Sequence, residues 1–98
     1  MKAKIWNSRK WIKTSETDNH KISQYFKNCL LASGFKILGE LEYVFTPQGY
    51  TMIFLLAESH FAIHTFPEHK KIYIELSSCN KKKYKAFKKS VDIKKNLC

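Results

Sequence analysis

Strict alternation of apolar and polar side chains constrains the fold of this chain most. In residues 71–77, Ile72, Ile74 and Leu76 alternate with more polar residues, which is typical of a strand with one buried face. Residues 60–66 form a further extended segment with the same period. Half-buried strands need hydrogen-bonded neighbours and a cover for one face, so the pattern predicts a sheet packed against a second layer.

Turn residues divide the extended segments into hairpins. Residues 46–49, Thr-Pro-Gln-Gly, separate a strand predicted over 35–45 from an apolar run over 50–57. Because both sides of that run are apolar, we expect a central strand that is buried on both faces. Residues 67–70 form a second turn, and a first strand is predicted over residues 4–12.

Two segments repeat apolar residues at helical spacing. The first helix is predicted over residues 19–33, with its N-cap among residues 17–19 and Gly34 just past its end. The second is predicted over residues 81–94 with a narrow apolar stripe. The order of elements predicts one α+β domain over residues 1–98, an antiparallel sheet with two helices packed on one face. The apolar positions are Ile22, Phe26, Cys29 and Leu30 in the first helix and Tyr84, Phe87 and Val91 in the second.

Composition excludes several classes of protein. With 44% hydrophobic residues the chain is too apolar for a disordered protein, yet its longest apolar run, residues 52–57, is far too short to cross a membrane. No secretory signal is recognisable at the start, so we expect a cytoplasmic protein without a membrane partner. Cys29, Cys79 and Cys98 form no C-x-x-C pair and are expected to be reduced thiols.

The net charge of +10 is concentrated towards the C-terminus, where residues 80–98 hold eight Lys and one acidic residue. Arg9 is the single Arg among 18 basic residues, which disfavours bidentate recognition of bases or phosphates. We interpret the Lys run as a solvated face and do not expect nucleic-acid binding. A basic nucleic-acid-binding module would explain the Lys run but would leave the segment described next without a role.

One segment gathers residue types that carry chemistry. Residues 57–68 read Ala-Glu-Ser-His-Phe-Ala-Ile-His-Thr-Phe-Pro-Glu, and Cys79 follows. A serine hydrolase with Ser59 as nucleophile also needs an orienting acid and an oxyanion hole, and no G-x-S-x-G turn is present. Structural His and Cys residues in a small core are a further interpretation. A zinc site is also conceivable, although the spacing of its four candidate ligands matches no standard pattern. These ligands are His60, His64, His69 and Cys79.

The same segment resembles the proenzyme of the short prokaryotic type of S-adenosylmethionine decarboxylase, a pyruvoyl-dependent family. That family has Glu-Ser-His-x-x-x-His-Thr-aromatic-Pro-Glu and then a Cys at a fixed distance, which here are residues 58–68 and Cys79. The resemblance covers roughly residues 19–90. It implies the α/β sandwich of that family, including a final strand after the second helix, which is missing from this sequence.

The resemblance implies self-cleavage between Glu58 and Ser59. The Ser59 hydroxyl attacks the Glu58 carbonyl and turns the peptide bond into an ester, and elimination at the Ser59 α-carbon then leaves a pyruvoyl group as the cofactor. The products are a β-chain of residues 1–58 and an α-chain of residues 59–98. His64 matches the position that assists the elimination, and we expect its neutral imidazole, on an adjacent extended piece, to reach Ser59.

Four further positions match the family by residue type. Thr51 stands where the family usually has a Ser that takes part in processing, and it retains the hydroxyl. Cys79 matches the thiol that reprotonates the decarboxylated substrate. Phe45 matches the ring that stacks on adenine, and Glu68 matches the carboxylate that binds the ribose hydroxyls. Taken alone, Phe45 is equally well explained as a core aromatic and Glu68 as a solvated turn residue.

Together these matches imply an S-adenosylmethionine decarboxylase in which the pyruvoyl ketone forms a Schiff base with the substrate amine and accepts electrons as carbon dioxide leaves. The implied product serves spermidine biosynthesis, the family implies a homodimer, and no metal ion is expected. Two alternatives stay open. One is a pyruvoyl decarboxylase of arginine or ornithine, and the other is a truncated non-catalytic homologue that pairs with a partner.

Overall fold

The computed structural model describes residues 4–93, in which five strands form one antiparallel sheet of order β1-β5-β4-β3-β2. This architecture confirms the α+β prediction, and no strand follows the second helix within residues 4–93. The elements are β1 (Trp6–Lys13), α1 (Asn19–Ala32), β2 (Ile37–Val44), β3 (Tyr50–Leu56), β4 (Ser59–Phe66), β5 (Lys71–Ser78) and α2 (Lys81–Ile93), with a 3-10 turn at Pro67–His69.

Both helices pack on the same face of the sheet, as predicted, and enclose the core. Phe61 of β4 lies at the centre of this core. Its ring contacts Phe26 of α1 at 5.5 Å and Phe87 of α2 at 5.0 Å between centroids. Because all three rings are buried, they couple both helices to the middle of the sheet.

Polar side chains fix where each helix begins. Asp18 caps α1, since its carboxylate accepts hydrogen bonds from the backbone N–H groups of His20 and Lys21 at 2.9 and 3.2 Å. Asn80 does the same for α2 by accepting the Lys83 N–H at 3.0 Å, a cap that the sequence analysis missed. Gly34 has φ 92°, which confirms its predicted left-handed conformation after α1.

The prediction that β3 is covered on both sides is wrong. Met52 and Phe54 are buried against the helices, but Ile53 and Leu55 on the other side are 38% and 55% exposed. The reason is that both described helices lie on one face, so nothing within residues 4–93 covers the other. We call that other face the open face. Its apolar and aromatic side chains are Trp11, Leu41, Tyr43, Ile53, Leu55 and Tyr73.

Neither α1 nor α2, in the portion of the chain that the structure describes, combines the length and apolar character that a bilayer-crossing helix requires.

Candidate active site

The bond between Glu58 and Ser59 lies at the tight turn between β3 and β4. Glu58 has φ 59°, in the left-handed region that residues with a Cβ atom rarely adopt. A non-glycine residue in this region carries a backbone strain of about 1–2 kcal/mol. Ser59 follows as the first residue of β4, which confirms the prediction of a serine at a strand junction.

One backbone contact and one side-chain contact hold this turn against the end of β5. The Glu58 carbonyl oxygen accepts the Cys79 backbone N–H at 3.4 Å, a long hydrogen bond. The Ser59 hydroxyl donates to the Ser78 hydroxyl oxygen at 2.8 Å, and both serine side chains are buried. Cys79 itself is exposed. We call Glu58, Ser59 and Cys79 the junction group.

A second set of residues lies at the opposite end of β4. His64 Nδ1 is 2.9 Å from Thr51 Oγ1, because the two residues are register partners in β3 and β4. On its other side the His64 ring stacks on Tyr73 at 6.2 Å between centroids. The hydrogen bond that Tyr73 donates to Glu75 at 2.7 Å, and secondarily desolvation, raise the pKa of Tyr73.

These residues border a cleft of about 400 Å³ that contains four of the predicted site positions. We call them the cleft group, which consists of Phe45, Thr51, His64 and Glu68. Phe45 is 48% exposed and its ring packs against Tyr43 at 4.7 Å between centroids, so part of this side chain is accessible to a ligand. Glu68 is exposed in the 3-10 turn, where its carboxylate can accept hydrogen bonds from ligand hydroxyls.

A neighbouring cavity of about 320 Å³ adjoins this cleft, and the two share Phe45, Gln48, Gly49 and Thr65. Its other walls include Glu16 and Lys71. The ring of Phe45 therefore stands between two connected spaces, each of a size typical of small-molecule sites, which start at about 300 Å³.

The structure separates the junction group from the cleft group. Ser59 and His64 lie on the same strand, five residues and about 16 Å apart. Ser59 faces the helices, whereas His64 lies on the open face. The expectation that His64 reaches Ser59 from an adjacent piece of the same chain is therefore wrong, because an odd interval along a strand places two side chains on opposite faces.

Sequence reasoning missed two contacts of this region. Ser78 contacts the Ser59 hydroxyl, and Tyr73 stacks on His64. For Ser78 a signal existed, because the alternation that buries Ile72, Ile74 and Leu76 also places position 78 on the buried side of β5. No local pattern could reveal that this side chain meets Ser59, since the contact depends on the register between β4 and β5.

Within residues 4–93 no three His, Cys, Asp or Glu side chains are grouped closely enough to hold a metal ion. The zinc grouping considered from the sequence is therefore not formed by its four members, His60, His64, His69 and Cys79.

Comparison with known proteins gives a family for this arrangement. A family model described as S-adenosylmethionine decarboxylase matches residues 12–95. The S-adenosylmethionine decarboxylase proenzyme of Shouchella clausii is 36% identical over 58 residues, 59% of this chain and 45% of that protein. The proenzyme of Hydrogenobaculum sp. is 38% identical over 58 residues, 59% of this chain and 43% of that protein. The matched part of the chain thus spans less than half the length of these curated relatives.

The fold also matches a solved structure, the adenosylmethionine decarboxylase from Aquifex aeolicus. The TM-score is 0.70 over 90% of this chain and 75% of that chain, with 23% sequence identity. The helix-covered antiparallel sheet is thus the α+β sandwich seen in that decarboxylase. Since the family model spans most of the sequence, the chain belongs to the S-adenosylmethionine decarboxylase family.

Proposed function

We propose that the chain cleaves itself between Glu58 and Ser59 and acts as a pyruvoyl-dependent S-adenosylmethionine decarboxylase whose active site is completed by a second copy. The observation that carries the proposal is the junction group. A strained Glu58, its carbonyl oxygen on the Cys79 N–H and the buried Ser59 hydroxyl meet at one turn. Family membership and the match of site positions by residue type support the same function.

In the first step the Ser59 Oγ attacks the carbonyl carbon of Glu58. The carbon–nitrogen bond breaks, the Oγ proton ends on the Ser59 nitrogen, and an ester joins the two residues. Negative charge develops on the Glu58 carbonyl oxygen during the attack, where the Cys79 N–H is placed to stabilise it. The left-handed Glu58 raises the energy of the uncleaved chain and so favours its conversion.

In the second step a base removes the Ser59 α-proton, and the ester breaks by elimination. We assign this base to His64. If Nδ1–H of the imidazole donates to Thr51 Oγ1, then Nε2 carries the free lone pair and is the basic atom. The stacking of Tyr73 keeps the ring in this orientation. Elimination leaves a free carboxylate on Glu58 and dehydroalanine at position 59. Addition of water to this residue, with release of the former Ser59 nitrogen as ammonia, gives the pyruvoyl group. The products are residues 1–58 and residues 59–98, the latter starting with that group.

The His64 that acts on Ser59 belongs to a second copy of the chain. The open face exposes apolar and aromatic side chains such as Trp11, Leu41 and Leu55 beside the Arg9–Glu75 ion pair. Exposed apolar side chains grouped on one face are typical of a self-association surface. We place a two-fold axis between the open faces of the two copies, running across the strands at the level of Ala62 and Ile53. The strands of the partner then run in the reverse direction. The cleft group of each copy then stands beside the junction group of the other, giving two identical sites in a homodimer.

For the decarboxylation, the pyruvoyl group supplies the electron sink. The chain's own residues bind the substrate and move the proton. Phe45 stacks on the adenine, Glu68 accepts hydrogen bonds from the ribose hydroxyls, and the Cys79 thiol returns a proton to the α-carbon after carbon dioxide leaves. We assign the product to spermidine biosynthesis and the protein to the cytoplasm.

Self-cleavage is tested on a denaturing gel and by intact mass. The wild-type chain should yield two fragments that end at Glu58 and start at position 59, whereas the Ser59→Ala variant should stay intact. A wild-type chain that remains a single band under every condition tested would reject the proposal and favour the non-catalytic homologue.

The substrate is tested with the cleaved protein. Borohydride reduction in parallel with S-adenosylmethionine, arginine and ornithine should add the mass of a captured amine to the α-chain only with S-adenosylmethionine. Because Phe45 and Glu68 suit a nucleoside, the variants Phe45→Ala and Glu68→Gln should reduce this capture. Capture of arginine or ornithine alone would replace the assigned substrate while leaving self-cleavage intact.

A further inference from the structure

We propose that Ser78 is a positioning residue for self-cleavage, because its hydroxyl oxygen accepts the hydrogen of the attacking Ser59 hydroxyl. The inference rests on the proposed function and deepens it. Ser59 and Ser78 are register partners, and their Oγ atoms are 2.8 Å apart. Ser78 is 1% exposed, so water does not compete for this hydrogen bond.

The direction of the hydrogen bond follows from the other contacts of Ser78. A serine oxygen has one hydrogen to donate and two lone pairs to accept with. The Ser78 hydrogen is directed at the Asn80 carbonyl oxygen at 3.4 Å, and one lone pair accepts the Asn80 backbone N–H at 3.0 Å. The remaining lone pair faces Ser59. Ser78 is therefore set to accept from Ser59 and not to donate to it.

This direction matters for the first step of cleavage. The attack needs a lone pair of the Ser59 oxygen aimed at the Glu58 carbonyl carbon, while the hydroxyl hydrogen points elsewhere. By taking that hydrogen, Ser78 leaves the lone pairs of Ser59 unobstructed and increases the electron density on the attacking oxygen. The overall step is unchanged: the C–O bond forms, the C–N bond breaks, and the proton ends on the Ser59 nitrogen.

The contacts of Ser78 also fix the position of the buried Ser59 hydroxyl. Ser78 is anchored through Asn80, whose side chain caps α2. The orientation of the Ser59 hydroxyl thus depends on the end of β5 and the start of α2. Sequence motifs around Ser59 do not contain this requirement.

The test compares cleavage rates of full-length chains after pulse-labelled cell-free translation. Ser78→Ala should slow the appearance of the two fragments by about tenfold, the rate factor of one hydrogen bond of ordinary strength. Ser78→Thr keeps the oxygen and should cleave within about twofold of wild type. The matched control is Ser90→Ala, which removes a serine hydroxyl from α2, away from both the junction group and the open face, and should leave the rate unchanged.

A second readout separates positioning from a general structural role. Hydroxylamine cuts the ester that forms before elimination, so it reports the first step alone. In Ser78→Ala the hydroxylamine-sensitive ester should form more slowly than in wild type, by the same factor as the final fragments. Accumulation of that fraction to levels above wild type would place Ser78 in the elimination and overturn the inference.

Ser78→Cys keeps the approximate size of the side chain but replaces the oxygen with a poor acceptor, so it serves if the Ala variant does not fold. It should cleave slowly in the chain that keeps Ser59. In a Ser59→Ala background, where no cleavage occurs, it should melt within a few degrees of the parent. Cleavage of Ser78→Ala or Ser78→Cys at the wild-type rate overturns the role of Ser78 but leaves the proposed function standing. Absence of cleavage in wild type overturns the proposed function instead.

Discussion

Ser59 and His64 lie on one strand, five residues apart and on opposite faces of the sheet. Within one chain the imidazole can therefore not approach the serine that it is proposed to act on. The nearest polar partners of the two residues are different as well, Ser78 for the serine and Thr51 for the histidine. The proposed site is therefore divided between two copies of the chain.

Mixed dimers should restore cleavage between two inactive variants. Ser59→Ala lacks the nucleophile and His64→Ala lacks the base, so each homodimer should stay uncut. When the two are coexpressed with different tags, the chain carrying His64→Ala should be cleaved, because its Ser59 meets the His64 of the partner copy. Intact mass of each tagged chain checks this result. Cleavage of the Ser59→Ala chain, or of neither chain, would contradict the shared site.

A charge on the open face should prevent assembly and cleavage together. Leu41 is 68% exposed, so Leu41→Glu should not disturb the fold of one chain, but it buries a charge in the proposed interface. We expect a monomer in light scattering and little or no fragment formation. Leu31→Glu is the control, since this exposed leucine lies on α1, away from the open face. A monomeric Leu41→Glu protein that still cleaves itself would refute the need for a second copy.

Removal of the Thr51 hydroxyl should slow the elimination step. Thr51→Val keeps the shape of the side chain but leaves His64 Nδ1 without its partner, so the imidazole loses its fixed orientation. We expect fragment formation to fall by about tenfold to a hundredfold, with the hydroxylamine-sensitive ester accumulating. Thr51→Ser, which keeps the oxygen, should cleave near the wild-type rate. Equal rates for the Val and Ser variants would remove Thr51 from the mechanism.

Replacement of the Cys79 side chain should separate cleavage from decarboxylation. The backbone N–H that meets the Glu58 carbonyl is retained in Cys79→Ala, so self-cleavage should continue. The proton donor is lost, so formation of the decarboxylated amine should fall by about a hundredfold or more. The amine is measured by chromatography. Undiminished product formation by the Ala variant would exclude the thiol as the donor.

An orphaned hydroxyl in the core predicts a stabilising substitution. Among residues 4–93 the buried Tyr25 oxygen finds no hydrogen-bond partner, which costs roughly 1–3 kcal/mol. We expect Tyr25→Phe to raise the free energy of unfolding at pH 7 by about 1 kcal/mol, measured by urea denaturation in a Ser59→Ala chain. A less stable Phe variant would mean that the hydroxyl has a favourable partner.

The same residue predicts a pH dependence. Burial, and secondarily the nearby Cys29 thiol, raise the pKa of Tyr25 from 10.0 to about 12. The folded chain then holds this proton more tightly than the unfolded chain, so the free energy of unfolding should fall as the pH rises from 10 towards 12. Tyr25→Phe should show a shallower decline over that interval. An identical decline in both proteins would assign it to other groups.

Local sequence was sufficient for most of the architecture. Period-two alternation predicted β5 and β4, and helical spacing predicted α1 and α2. Gly34 indicated the end of α1, where it adopts the left-handed conformation. These features succeed because each depends on neighbours within about one turn or one strand. The candidate site residues were proposed from the contiguous motif in residues 58–68 and its resemblance to the family, and their roles stay predictions.

Tertiary structure alone decided what these residues contact. The alternation already placed Ser59 and His64 on opposite sides of β4, but only the strand register pairs Ser59 with Ser78 and His64 with Thr51. The apolar run in β3 similarly does not tell which of its faces the helices cover. Side-chain direction is a property of the strand, whereas partners depend on which distant strands and helices pack against it, and that choice is made by the whole chain.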